Sequence, residues 1–304
     1  MMIDKKITAN KKYVICNWKM NGSVLLCEEY CRMIENLVSC NDKNRIMPLE
    51  IIVLPPNPYI NIFSRLLDNL GDINMQNDII SVRVGAQSIS SVDFDFGSYT
   101  GEVSSKMLHD IGCSYILINH YESKKINPTC NSIKNIQIKL KNSWKNCLIP
   151  IVCIGHTIEE HDSINSVQEK VFNEINEIFS NFDFLINESR KNDHINDKTF
   201  SKIEFLLAYE PSFTIGSDKL QEIDKVDVIC SIIKDIVSNN IESNIQKYKF
   251  NINMLGLIYG GSIDQFNIKY ICNSSKIDGF LIGRKSLDIE SLTNICYNVL
   301  NRLS

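Results

Sequence analysis

Eight short apolar runs punctuate the chain, and each has the length of a strand, not of a helix. They lie at Tyr13–Cys16, Glu50–Leu54, Val82–Gln87, Tyr115–Ile118, Leu148–Ile154, Glu204–Ala208, Met254–Ile258 and Gly279–Ile282. Between them apolar residues recur with helical period: Val24, Cys27, Cys31, Ile34 and Leu37 share one face, as do Val167, Val171, Ile175 and Ile178, and likewise Ile229, Ile233 and Ile236. Asn57-Pro58 and Asp224 suit helix starts. Strands apolar on both faces, alternating with helices, belong in a parallel sheet wrapped by those helices. Eight repeats predict a closed (β/α)8 barrel of the α/β class. The alternative is an open doubly wound sheet, but that fold usually carries a Gly-rich dinucleotide turn after its first strand. Here Cys16 is followed by Asn17-Trp18-Lys19-Met20-Asn21-Gly22.

At 304 residues and 44% apolar composition the chain can bury one large core. Residues 13–304 are expected to form a single barrel domain after an N-terminal extension over 1–12. Such a barrel needs roughly 250 residues. The excess falls in three polar, Asn-rich stretches, Cys40–Pro48, Asn181–Thr199 and Ser238–Asn251. They precede strands 2, 6 and 7, which puts them on the barrel's N-terminal face as solvated loops, whereas catalytic residues collect at the other face.

A formal net charge of −4 gives no dense Lys/Arg surface for nucleic acid or an anionic membrane. No run approaches the roughly 18 apolar residues of a membrane span, and the first ten residues lack a signal peptide's apolar centre. The eleven cysteines are odd in number and include no Cys-x-x-Cys pair. They read as reduced core residues, several inside apolar runs (Cys16, Cys113, Cys153). The sequons Asn21-Gly22-Ser23, Asn187-Glu188-Ser189 and Asn273-Ser274-Ser275 would matter only outside the cytosol, and the first overlaps the motif after strand one. A cytoplasmic protein is expected, or one from an organelle such as a plastid where a transit peptide is missing.

In a parallel barrel the C-terminal ends of all strands open on one mouth. Strand one brings Asn17 and Lys19 there, strand four His120 and Glu122, strand six Glu210, strand seven Tyr259-Gly260-Gly261-Ser262, and strand eight Gly283-Arg284. Glu210 ends an apolar run and opens a Pro-to-Gly segment, Pro211–Lys219, with the character of a lid hinged at Pro211 and loosened at Gly216. A carboxylate there can take a proton from carbon beside a carbonyl, while imidazole and ammonium stabilise the oxyanion that develops. Backbone N–H groups at Gly216, Ser262 and Gly283 can grip a phosphate without net positive charge.

Asn17-Trp18-Lys19-Met20-Asn21, His120 with Glu122, Ala208-Tyr209-Glu210-Pro211, Ile215-Gly216, Tyr259-Gly260-Gly261-Ser262 and Asp278-Gly279-Phe280-Leu281-Ile282-Gly283 resemble the triosephosphate isomerase family, in the family's order from about Tyr13 to the C-terminus. That family is the type example of the barrel, of the neutral catalytic imidazole and of lid closure. The resemblance implies a TIM barrel that interconverts dihydroxyacetone phosphate and D-glyceraldehyde 3-phosphate. Glu210 would be the base and His120 the neutral electrophile. Lys19 would stabilise the enediolate and attract the dianion, with Asn17 positioning it, and Gly216, Ser262 and Gly283 would hold the phosphate. No metal or organic cofactor is implied. The segment Val92–Ser104 resembles the family's protruding third loop, which implies a homodimer with Thr100 near the tip.

Several positions depart from the family's pattern. Tyr121-Glu122-Ser123 stands for the usual Ser-Glu-Arg, Asn119 precedes His120 in place of Gly, where a side chain is expected to crowd the strand end, and Phe213 and Asp218 replace Trp and Gly in the lid. His156 replaces a Glu that in the family bonds that Trp, which implies an altered lid latch. Arg284 replaces a second phosphate-loop glycine: its Cβ either forbids the required φ or its guanidinium adds a phosphate contact. Arg284 and Ser123 favour a rival reading, a catalytically weakened relative that binds or supports; retention of Asn17, Lys19, His120 and Glu210 opposes it. A barrel acting on a larger phosphosugar is opposed by the lid motif and the Asn17/Lys19 pair. His156 and His161 lie five apart, off a common helix face, and there is no His-Glu-x-x-His, so a metal enzyme is not expected.

Overall fold

The computed structural model describes residues 11–39, 48–70, 79–180, 202–214, 222–242 and 251–301. The expected N-terminal extension up to residue 10 and the insertions at 40–47, 181–201 and 243–250 lie outside the described residues, as do Gly216 and Asp218 of the lid. All eight apolar runs become strands: β1 (Lys12–Asn17), β2 (Leu49–Leu54), β3 (Ile80–Ala86), β4 (Cys113–Ile118), β5 (Ile149–Ile154), β6 (Lys202–Tyr209), β7 (Asn251–Tyr259) and β8 (Gly279–Ile282). They pair in parallel in chain order, and β8 returns to β1 to close the barrel.

The alternation of side chains along a strand explains why these runs are mainly apolar on both faces, with Arg83 of β3 an exposed exception. One set, including Tyr13, Ile15, Ile52, Leu54, Leu117, Ile151, Cys153, Leu206, Ala208, Ile258 and Leu281, forms one buried cluster, which fills the barrel. Their chain neighbours, such as Val14, Cys16, Val53, Ile116, Val152, Leu207 and Phe280, belong to a second cluster between sheet and helices. Low in the barrel, buried Glu50 accepts hydrogen bonds from Lys11 at 2.6 Å, from Ser81 at 3.1 Å and from the Tyr115 hydroxyl, which compensates its buried charge.

Nine α-helices occur among the described residues: α1 (Val24–Ser39), α2 (Asn57–Asn69), α3 (Ser105–Asp110), α4 (Tyr121–Ile126), α5 (Ile133–Lys145), α6 (Ile164–Phe179), α7 (Ile223–Val237), α8 (Ile268–Ile271) and α9 (Ile289–Asn301). The apolar stripe of α6 is buried as the period predicts, at Val167, Val171, Ile175 and Ile178. In α1 the stripe differs at its start: Val24 is exposed in the first turn, and Tyr30 and Met33 join the buried face. Asn57 does not cap α2, which starts from Pro56 with Pro58 in its first turn. Asp224 likewise falls inside the first turn of α7, where its charge complements the helix dipole. The third insertion is not loop throughout, since Ser238–Glu242 continues α7 as a π-helical turn. The described cysteines are all free and mostly buried, although Cys147 is exposed. No helix among the described residues is long and apolar enough to cross a membrane.

Candidate active site

At the C-terminal mouth the inner rows of the barrel turn polar. Extending the rows by two residues leads from Ile15 to Asn17, from Leu117 to Asn119, from Ala208 to Glu210 and from Leu281 to Gly283. A cavity of 680 Å³ opens there, lined by Asn17, Lys19, His120, Glu210, Ser262, Gly283 and Arg284 among others. Seven of the eight site residues singled out in the sequence therefore share one cavity. The eighth, Gly216, lies outside the described residues.

Lys19 adopts φ +54°, a left-handed conformation uncommon for a residue with a Cβ. Both its backbone groups are held: its N–H donates to Asn17 Oδ1 at 3.0 Å, and its carbonyl accepts from Gln87 Nε2 at 2.8 Å. Such strain persists where surroundings over-determine it. The Lys19 ammonium meets Glu122 Oε1 at 2.6 Å. Glu122 is thus engaged by Lys19 even though the family's Arg is absent from the next position. Gly283 provides room for that lysine, because a Cβ there would come within 2.9 Å of Lys19 Cε.

Asn119 does not crowd the strand end. It takes φ +62°, a region that Asn tolerates, and its side chain donates to the Cys153 carbonyl at 2.9 Å, tying β4 to β5. That turn aims His120 into the mouth, where it caps α4: its Nδ1 accepts the Glu122 N–H at 3.3 Å. Only a ring unprotonated at Nδ1 can accept, so the geometry is that of neutral imidazole with its proton on Nε2. Nε2 faces Glu210 Oε1 at 3.4 Å and Asn17 Nδ2 at 3.5 Å. Burial disfavours a charge on the ring, and the Glu210 carboxylate outweighs it, so the His120 pKa stands above that of free imidazole.

Glu210 is 3% exposed, and its N–H donates to the Ile154 carbonyl at 2.8 Å, which extends the β5–β6 pairing to this carboxylate. Burial pushes its carboxyl up, but the facing rings of His120 and His156 more than offset this and hold it below the usual carboxylate range. The group is therefore ionised at neutral pH. Gly260 supplies the space behind it: a Cβ would stand 2.6 Å from Glu210 Cγ.

Beyond Glu210, the 3-10 turn Ser212–Thr214 is anchored at two points. Ser212 Oγ donates to the Ile158 carbonyl at 3.0 Å, and Ser262 Oγ donates to the Thr214 carbonyl at 2.6 Å. Phe213 packs against the core. Arg284 begins a 3-10 turn, Arg284–Leu287, and is not among the positive-φ residues, so its Cβ meets no backbone obstacle. Its side chain is exposed along the cavity rim. Sequence reasoning missed Gln87, Thr214 and the clamping role of Asn119. The only signal for them was position, at or just beyond strand ends.

The model of the triosephosphate isomerase family matches residues 12–299. A triosephosphate isomerase from Ehrlichia chaffeensis is 30% identical over 292 residues, covering 95% of this chain and 97% of the relative. One from Buchnera aphidicola is 29% identical over 290 residues, covering 95% of this chain and 99% of the relative. The crystal structure of triosephosphate isomerase from Bartonella henselae matches with a TM-score of 0.66 at 23% identity, over 96% of this chain and 99% of that one, a likeness of fold.

Proposed function

The chain belongs to the triosephosphate isomerase family, and we propose that Glu210, His120, Lys19 and Asn17 carry its isomerisation of dihydroxyacetone phosphate and D-glyceraldehyde 3-phosphate. The activity is an aldose–ketose isomerisation of a phosphorylated triose, a step of glycolysis and gluconeogenesis. The observation that carries the residue assignment is the buried approach of Glu210 to His120 at 3.4 Å, in one cavity with Lys19 and Asn17.

In this reading the substrate's carbonyl oxygen lies against His120 Nε2–H and the Lys19 ammonium. Glu210 takes a proton from the adjacent carbon and the oxyanion of the enediolate forms against those donors; the hydroxyl proton then passes from one substrate oxygen to the other by way of His120 Nε2, and Glu210 returns its proton to the other carbon. Lys19 leaves Glu122 to meet the dianion. The phosphate is held by backbone N–H groups of Ser262, Gly283 and Gly216, and the Ser262 hydroxyl, engaged by Thr214, couples that loop to the lid hinge. Closure of Pro211–Lys219 excludes water from the enediolate.

Arg284 adds a guanidinium to the phosphate end. Arg284→Gly is expected to raise KM for D-glyceraldehyde 3-phosphate roughly two- to fivefold, the size of one solvent-exposed charge contact, with kcat changed less. An unchanged KM in steady-state assays would remove Arg284 from the site. The rival reading, a weakened relative, is decided by a coupled assay with D-glyceraldehyde 3-phosphate on wild type and Glu210→Gln: turnover no higher in the wild type would end the residue assignment.

The homodimer is part of the same proposal. Phe94, Phe96 and Tyr99 of the loop around Thr100 are exposed, as is Met20 beside Lys19, which favours a protein partner. The foot of the loop is tied to α5, since Lys141 pairs with Asp93, Lys145 with Asp95 at 3.2 Å, and Asn142 Nδ2 donates to the Val92 carbonyl at 2.8 Å. Light scattering at micromolar concentration is expected to give the mass of two chains; the mass of one would contradict it. A cytoplasmic location, or an organelle such as a plastid, is proposed on the family's glycolytic role.

A further inference from the structure

Behind the base stands a second imidazole that the mechanism above does not use. His156 follows β5 after Gly155, and its side chain is only 3% exposed. Neither of its ring nitrogens has a hydrogen-bond partner among the described residues. Nε2 lies 3.7 Å from Glu210 Oε2, and Nδ1 lies 3.9 Å from Glu174 Oε1 on α6. Those two carboxylate oxygens are also buried without a hydrogen bond among the described residues. All four atoms stand just beyond hydrogen-bond reach, so a small rotation of the ring completes either contact. Glu174 is itself fixed, its Oε2 accepting the Gly155 N–H at 2.8 Å.

A neutral imidazole carries one N–H and can serve one carboxylate at a time. With the proton on Nε2 the ring steadies Glu210; with the proton on Nδ1 it serves Glu174 and sets a lone pair against Glu210 Oε2. An imidazolium serves both, drawing the Glu210 carboxylate toward α6 and making it a weaker base. We propose that His156 is a positioning residue for the base: held between Glu174 and Glu210, it sets where the Glu210 carboxylate stands, and its protonation slows turnover. This rests on Glu210 being the base, as proposed above.

The ring is faced by groups from several elements. Glu174 comes from α6 and Glu210 from the end of β6, both carboxylates. On α6, Lys170 is committed to Asp162 at 2.7 Å and to the Thr157 carbonyl at 3.0 Å. From the start of α4, Tyr121 presents its ring at 5.8 Å, tilted by 56°, and His120 lies across Glu210. From β5 the Cys153 thiol, which burial pushes up and keeps neutral, interacts with the same two carboxylates, Glu210 and Glu174.

The test compares kcat and KM against pH for wild type, His156→Gln, Glu174→Gln and Glu210→Gln. kcat is the informative parameter, because the substrate phosphate titrates near about pH 6 and enters KM. The wild-type kcat profile is expected to fall toward acid through an ionisation that is missing in His156→Gln, while KM differs by less than about twofold. Glu174→Gln removes one of the two carboxylates that favour the imidazolium, so it moves that ionisation to lower pH, an effect that loss of packing would not produce. Superimposable kcat profiles in wild type and His156→Gln overturn the proposal. If His156→Gln fails to fold, Glu174→Gln decides, and an unmoved ionisation overturns it. Retained turnover in Glu210→Gln would instead overturn the assignment of the base on which the proposal rests.

Discussion

Replacing Glu210 by Gln is expected to lower kcat for D-glyceraldehyde 3-phosphate by roughly 10²–10⁴-fold, the contribution of a general base, with KM little changed. Gln has nearly the same shape, so the space left by Gly260 and the backbone bond to Ile154 survive. What is lost is the lone pair that accepts a proton from carbon. An amide also faces His120 Nε2 without charge, so its own N–H and the imidazole N–H compete for one carbonyl oxygen. Loss of kcat at constant KM is the signature of an interaction made in the transition state alone. A parallel rise in KM with kcat intact would reassign Glu210 to substrate binding.

Lys19→Met is expected to cost roughly 10²–10³-fold in kcat, on the scale of removing one oxyanion donor, and to raise KM as well. The ammonium serves the enediolate oxygen and also draws in a dianion, so both parameters move. The fold is expected to stand, because Asn17 and Gln87 hold the backbone of Lys19 and not its side chain. Glu122 loses its partner, but its side chain is 41% exposed and can be rehydrated. Salt provides a second measure: kcat/KM of the wild type falls with ionic strength, and the Met variant is expected to be much less sensitive. Equal salt dependence in the two proteins would show that Lys19 does not attract the substrate.

Much of the architecture was legible in the sequence because a closed parallel barrel buries both faces of every strand. That condition leaves eight short, mainly apolar runs, and all eight became strands, with β3 alone exposing a residue, Arg83, in mid-strand among those whose burial is described. The site was legible for a related reason. Strand-end polar residues such as Asn17 and Glu210 continue inner rows whose period is two, so their convergence follows once the barrel closes. Contacts between distant segments were not legible. Asn119 looked like an obstruction where Gly was expected, yet its amide reaches the Cys153 carbonyl from a left-handed turn that no local pattern announces. His156 looked like half of a lost lid latch, and its neighbours proved to be Glu174, from a helix, and Glu210. α2 does start at Asn57, directly after Pro56, whereas α7 starts at Ile223, one residue before Asp224, with Glu222 at its N-cap position.

That a single carboxylate, Glu210, carries the proton between two carbons is tested most directly by solvent exchange. Dihydroxyacetone phosphate is incubated in D2O with catalytic amounts of wild type or Glu210→Gln, and deuterium on the carbons beside the carbonyl is followed by NMR. The expected result is deuterium in product and recovered substrate with the wild type, and labelling slower by roughly 10²–10⁴-fold for Glu210→Gln. Labelling by Glu210→Gln at the wild-type rate would mean that another group takes the proton, and would contradict the mechanism at its centre.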